Sequence, residues 1–162
     1  GTMGLELVAG LVIARFAGVL QQVILLASFM PVISAISGNV GLQAAAIVVR
    51  GLDTGHVSLN RWRRQLGKEL RTALVMAAVC GVVLGTIGAA WSRHPPFGIV
   101  IGVALACSMT TAGLMGTLIP MLSKRLGFDP AATAGPFETA FQDEIGFGVF
   151  LWLASLLVDW LE

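Results

Sequence analysis

The sequence predicts an all-α, integral membrane bundle of five helices, and three observations carry that prediction. The chain is too apolar for water: 56% of its residues are hydrophobic and only 12% charged, with a mean hydropathy of +0.87, against about 25% charged in an ordinary soluble domain. The charges are also clustered, leaving Phe16 to Val49, Thr72 to Ser92 and Phe97 to Ser123 without a single one. A helix of about 20 apolar residues crosses a hydrocarbon core of about 30 Å. Finally, the polar residues inside these apolar runs recur at helical spacing, as on one face of a bundled helix. The 162 residues suffice for one such bundle and leave no room for a sizeable second domain.

Taken in order, Gly1-Thr2-Met3 reads as a cloning scar. A first helix is expected at about 4 to 17, and its shortness fits the removal of sequence ahead of it. The stretch from Phe16 to Val49 is too long for one helix. Gly18, Gln21 and Gln22 offer a break, so the second helix is expected at about 20 to 49. The next two uncharged runs give a third helix at about 66 to 91 and a fourth at about 97 to 123. A fifth, at about 136 to 161, is expected to start at Pro136, a favoured residue of the first helical turn. It ends near Trp152 and Trp160, which suit a membrane interface.

Orientation follows from the basic residues. Arg50, Arg61, Arg63, Arg64, Lys68, Arg71, Lys124 and Arg125 are eight of the ten. All fall in the segment 50 to 71 that follows the second helix and opens the third, or directly after the fourth, which marks that side as cytoplasmic. Five spans then place the N-terminus in the cytoplasm and the C-terminus outside it. The cluster at 50 to 71 reads first as this topology signal, with contact to lipid headgroups or a regulatory domain as the alternative. A net charge of +1 gives no reason to expect a nucleic-acid partner. His56 and His94 fall in predicted loops without a partner at ligand spacing. Cys80 and Cys107 lie in apolar runs, where a thiol packs as a small hydrophobe.

On the second helix Pro31, Ala35, Asn39 and Gln43 recur every four residues and share one face, with Ser34, Gly38, Gly41 and Ala45 beside it. Such a face needs either close protein packing or a water-filled path. Small-residue stripes at Gly81, Gly85 and Ala89, and at Gly102, Ala106 and Thr110, lack a strongly polar member and read as packing. The fifth helix shifts the balance. It carries Glu138, Asp143 and Glu144, and no lysine or arginine follows Arg125. Intramembrane carboxylates usually face a bundle interior or an aqueous path. Asp143 lies beyond the interfacial zone and shares a face with Thr139, Gly146 and Phe147. Glu144 is turned by about 100° from it, and Glu138 is expected to reach back to the cytoplasmic surface. Oxygen-only donors suit hard divalent cations, Mg2+, Ca2+ or Mn2+. One aspartate per chain is a weak site, and a two-fold homodimer would bring two copies to one axis.

The segments "FMPVISAISGNVGLQAAAIVVRGL" (29 to 52), "GTLIPMLSKRLGFDPA" (116 to 131) and "PFETAFQDEIGF" (136 to 147) resemble, in this order, the transmembrane domain of the MgtE magnesium channels and their eukaryotic solute-carrier relatives. The resemblance covers nearly all of residues 5 to 160. It implies a homodimer that conducts Mg2+ through a pore between protomers, lined by the second and fifth helices. It also implies that Asp143 binds the hydrated ion together with its copy, that Asn39 lines the same site and that Thr139 contributes its backbone carbonyl. Gly38, Gly41 and Gly146 match positions that leave room or backbone for the ion, and Gln43 completes the GNxGxQ motif. Pro31 and Ala35 extend the pore-lining face. Glu138 and Glu144 depart from the family pattern and are selectivity candidates that would admit Mn2+ or Ca2+ beside Mg2+. Ser108 stands where relatives often carry asparagine. Cytosolic N-terminal and CBS domains, which close the pore in many members, are not expected in this sequence, the scar favouring their removal over a gene that never carried them.

Two other classes stay open on sequence. A proton- or sodium-coupled secondary transporter would use Asp143 or Glu144 as its relay, and the "SGNVG" segment suits the broken helices of that class. A membrane scaffold would use the polar faces for packing alone. An enzyme is not expected, since no nucleophile with a base and no phosphate-binding motif is present.

Overall fold

The computed structural model describes residues 2 to 16 and 24 to 156. Among these are five α-helices and one short 3-10 turn: α1 (Thr2–Arg15), α2 (Ile24–Asp53), the turn Leu59–Arg61, α3 (Trp62–Ser92), α4 (Pro95–Arg125) and α5 (Pro130–Leu156). The helices within Ala27–Asp53, Leu59–Ser92 and Pro95–Arg125 are long and apolar enough to cross a membrane. At 27 residues α5 spans about 40 Å at about 1.5 Å per residue, and its three carboxylates set it apart from those three. The expected break at Gly18, Gln21 and Gln22 and the anchor Trp160 lie outside the described residues.

Within the described residues α1 ends at Arg15, α2 ends at Asp53, α3 runs Trp62–Ser92 and α4 Pro95–Arg125, and the start of α5 departs from expectation. That helix begins at Pro130, not at Pro136, which lies inside it. The reason is local: Asp129 precedes Pro130, and its Oδ1 accepts a hydrogen bond from the Ala131 backbone N–H at 2.9 Å. A carboxylate cap followed by proline at the first helical position is a strong start signal. The early start carries Glu138 about 12 Å and Asp143 about 20 Å along the helix.

α4 is the central helix, packed against α2, α3 and α5, while α1 packs on α5. In lipid, apolar burial gives helices no reason to associate, so close van der Waals contact must do it. The α3/α4 pair meets that need with glycine on both sides. A Cβ at Gly81 would lie 2.8 Å from the Gly102 carbonyl oxygen, and one at Gly85 2.8 Å from that of Gly98. The small-residue stripes are thus packing surfaces. The opposite side of α3 exposes Leu74, Val75, Val79, Val82, Val83 and Ile87, an apolar surface suited to lipid. The core gathers Phe29, Met30, Ile33, Phe97, Ile101, Leu105, Met109 and Phe150. Phe29 meets Phe97 and Trp91 edge-on, at 5.7 and 5.9 Å between ring centres.

Every one of the eight clustered basic residues is exposed. They lie at the C-terminal ends of α2 and α4 and on the turn and first part of α3. Leu59 and Trp62 share a cavity with Leu118, Met121, Leu122 and Arg125, so the start of α3 and the end of α4 meet. His56 and His94 are exposed as expected, and Cys80 and Cys107 are free and half-buried.

Candidate functional site

α2 and α5 run antiparallel. Ser34 meets Asp143, Gly38 meets Gln142, and Gly41 meets Glu138. Two glycines one turn apart on α2 therefore receive two long polar side chains one turn apart on α5. Gly41 also packs through its carbonyl oxygen against Gly116 of α4, so it wedges between two helices where no side chain would fit.

Of the α2 residues singled out by spacing, Gly41 and Ala45 are buried. Pro31, Ala35, Asn39 and Gln43 are all exposed on the surface of the single chain. Asp143 and Thr139 are half-buried beside α2, the Thr139 hydroxyl donating to the Gly135 carbonyl at 3.0 Å. By register, Asn39 lies between the levels of Asp143 and Glu138. Toward the basic end, a cleft of about 490 Å³ opens between the two helices, lined by Leu42, Ala46, Arg50, Asp53, Ala131 and Gly135 among others.

The Asp143 carboxylate is held firmly. Its Oδ1 accepts from Ser34 Oγ at 2.5 Å and from Gln142 Nε2 at 2.8 Å. Behind it runs a buried polar chain. Gln142 Nε2 also reaches Ser108 Oγ at 3.3 Å, Ser108 Oγ donates to Ser37 Oγ at 2.8 Å, and Ser37 Oγ donates to the Ile33 carbonyl at 2.6 Å. Ser37, Ser108 and Gln142 are each fully buried. Nothing in the sequence marks these three, or Ser34, as neighbours of the carboxylate. Gln142 lies off the Asp143 face of α5 and Ser108 is on another helix, α4, and only the packing of α2, α4 and α5 brings them together.

Other residues sit differently from expectation. Glu138 does not reach the cytoplasmic surface: it is fully buried, 0% exposed, against Gly41, with Oε2 near the Thr139 hydroxyl at 3.4 Å. Its depth follows from the early start of α5. Gly146 is buried against Ser108 of α4. Glu144 is half-buried. One oxygen each of Glu138, Gln142 and Glu144 is buried without a donor. Among the described residues no group of three or more His, Cys, Asp or Glu side chains gathers as a metal site within one chain.

The family model for MgtE, described as a divalent cation transporter, matches residues 30–153. The chain belongs to the MgtE family. It is 35% identical over 146 residues to the magnesium transporter MgtE of Enterococcus faecalis, a match that covers 90% of this chain and 32% of that protein. It is 31% identical to the magnesium transporter MgtE of Bacillus subtilis, over 94% of this chain and 34% of that one. The corresponding Thermus thermophilus protein is 33% identical, over 94% of this chain and 34% of its own length. The chain thus spans about a third of the length of the curated relatives it matches. MgtE membership and three membrane-length apolar helices make it a membrane protein, and the matched segment contains the whole α2/α5 polar face.

Proposed function

We propose that this chain forms the ion path of a Mg2+ channel, with two copies facing each other across the exposed faces of α2 and α5. The observation that carries the reading is Asp143, a half-buried carboxylate of α5 held by Ser34 of α2, the helix whose exposed face carries Asn39 and Gln43. Polar groups in lipid need a partner or water. A second copy across a two-fold axis gives both faces one and doubles the carboxylate. Asp143 and its copy would hold a hydrated ion, since Mg2+ keeps several waters and needs few direct carboxylates. Asn39 and the Thr139 carbonyl would contact its water shell. Gly38, Gly41 and Gly146 act in this reading by letting α2, α4 and α5 approach closely. The exposed basic end would face the cytoplasm, which puts the N-terminus inside and the C-terminus outside. The name shared by the three relatives supports Mg2+ as the cargo, with Mn2+ and Ca2+ as competitors to be measured.

The test is divalent uptake into proteoliposomes under a negative-inside potential, comparing the native chain with Asp143→Asn. The reading expects Mg2+ entry that the variant loses while it stays folded and dimeric. Equal uptake by both would sink it. A coupled carrier is the second reading, favoured by Glu138, a buried carboxylate off the open face with an unpaired oxygen. It predicts uptake that follows an imposed proton or sodium gradient, where a channel follows voltage.

A further inference from the structure

We propose that Ser34 and Gln142 are specificity-determining residues that favour Mg2+ over Ca2+ by sealing one oxygen of the Asp143 carboxylate. The inference rests on the reading of Asp143 as the cargo-binding carboxylate. Both donors converge on the same atom, Oδ1, at 2.5 Å from Ser34 Oγ and 2.8 Å from Gln142 Nε2. Hydrogen bonds to an ionised acceptor are about twice as strong as neutral ones, and two of them fill the two lone-pair positions of that oxygen. Of the two donors, the Gln142 amide is not free to swing away. Gln142 is fully buried and tied through Ser108 and Ser37 to the α2 backbone. Among the described residues no donor reaches Oδ2, and Oδ2 is not among the buried unpaired atoms. The half-buried carboxylate therefore offers the ion path one oxygen.

That restriction separates the two cations by their coordination chemistry. Ca2+ takes six to eight oxygen ligands in flexible geometry and commonly grips a carboxylate through both oxygens. Mg2+ is smaller, keeps most of its waters, and accepts a single carboxylate oxygen in an octahedral shell. With both lone-pair positions of Oδ1 occupied, a bidentate grip would require displacing at least one of the two charge-assisted hydrogen bonds. Single-oxygen contact to hydrated Mg2+ leaves both bonds in place. The polar chain from Ile33 to Asp143 thus acts on selectivity through the shape of what Asp143 can offer, without touching the ion itself.

The experiment measures initial Ca2+ and Mg2+ uptake into proteoliposomes for the native chain, Ser34→Ala, Gln142→Met and Ser34→Thr. The expected result is a calcium-to-magnesium uptake ratio raised about tenfold in the first two variants, equivalent to about 1.4 kcal/mol. Ser34→Thr, which keeps the hydroxyl, should hold the native ratio. A ratio that stays native in Ser34→Ala and Gln142→Met, with both fluxes falling together, overturns the inference and leaves these residues a packing role. If a variant passes neither ion, the thermal shift of the solubilised protein decides. Stabilisation by Ca2+ must gain on that by Mg2+, and an unchanged order overturns the inference equally. Asp143→Asn separates the two levels. If it conducts like the native chain, the reading of Asp143 itself has failed. If it is silent while the ratio in the other variants stays native, this inference alone has failed.

Discussion

Gly41 on α2 lies directly against the carboxyl group of Glu138 on α5, and a Cβ at position 41 would overlap Oε1 and Cδ and come within 3.0 Å of Cγ. The same residue presents its carbonyl oxygen to Gly116 of α4, so neither helix can yield without disturbing the other. Gly41→Ala should destabilise the solubilised protein by about 1–3 kcal/mol, the usual scale of overpacking. Glu138→Ala vacates the space, so the double variant should recover part of that loss. Strict additivity in a double-mutant cycle of thermal unfolding would mean that the two residues are not in contact.

The α3/α4 contact should behave as a structural seam only. Gly85 and Gly98 meet through backbone, and each has the other helix's carbonyl oxygen where its own Cβ would sit. Gly85→Val or Gly98→Val should lower the melting temperature, by about 1–3 kcal/mol of stability or more. The calcium-to-magnesium uptake ratio of the protein that remains folded should not change. A change in that ratio would show that this seam communicates with Asp143.

Much of this architecture was legible in the residues, because lipid forces apolar helices to declare themselves as uncharged runs. The outward face of Pro31, Ala35, Asn39 and Gln43 was legible too, since a four-residue recurrence needs only one helix to be interpreted. What escaped depended on other helices. Glu138 was expected at a surface because Pro136 looked like the start of α5, whereas the Asp129–Pro130 pair starts it six residues earlier. Gln142 adjoins Asp143 in sequence but points to a neighbouring face, and Ser34 and Ser108 become its company only through tertiary packing.

The α5 start is itself testable. Asp129→Ala removes the carboxylate that accepts from the Ala131 N–H, and loss of such a cap costs about 1 kcal/mol. Asp129→Asn and Asp129→Ser keep an acceptor and should retain most of the stability. If all three melt alike, the cap contributes nothing and the position of Glu138 must be set by its packing on Gly41 alone.

Neighbouring positions on α2 should separate fold from conduction. Ser37 is fully buried and donates to the Ile33 carbonyl while accepting from Ser108, whereas Asn39, two residues on, is exposed. Ser37→Leu pushes a larger apolar side chain into the polar chain behind Asp143 and leaves Ser108 without its acceptor. Overpacking and a lost buried hydrogen bond each cost about 1–3 kcal/mol, so a clear drop in melting temperature is expected. Asn39→Leu touches no packed neighbour within one chain, and a surface change of that kind usually moves stability by no more than about 0.5 kcal/mol. It does remove an amide from the proposed path, where water-shell contacts to the ion are made. Mg2+ uptake should fall about tenfold or more, the scale of one polar contact of about 1.4 kcal/mol, with the melting temperature close to native. Native uptake by Asn39→Leu would move the path away from this face of α2. A large loss of stability would instead assign Asn39 to helix packing between copies.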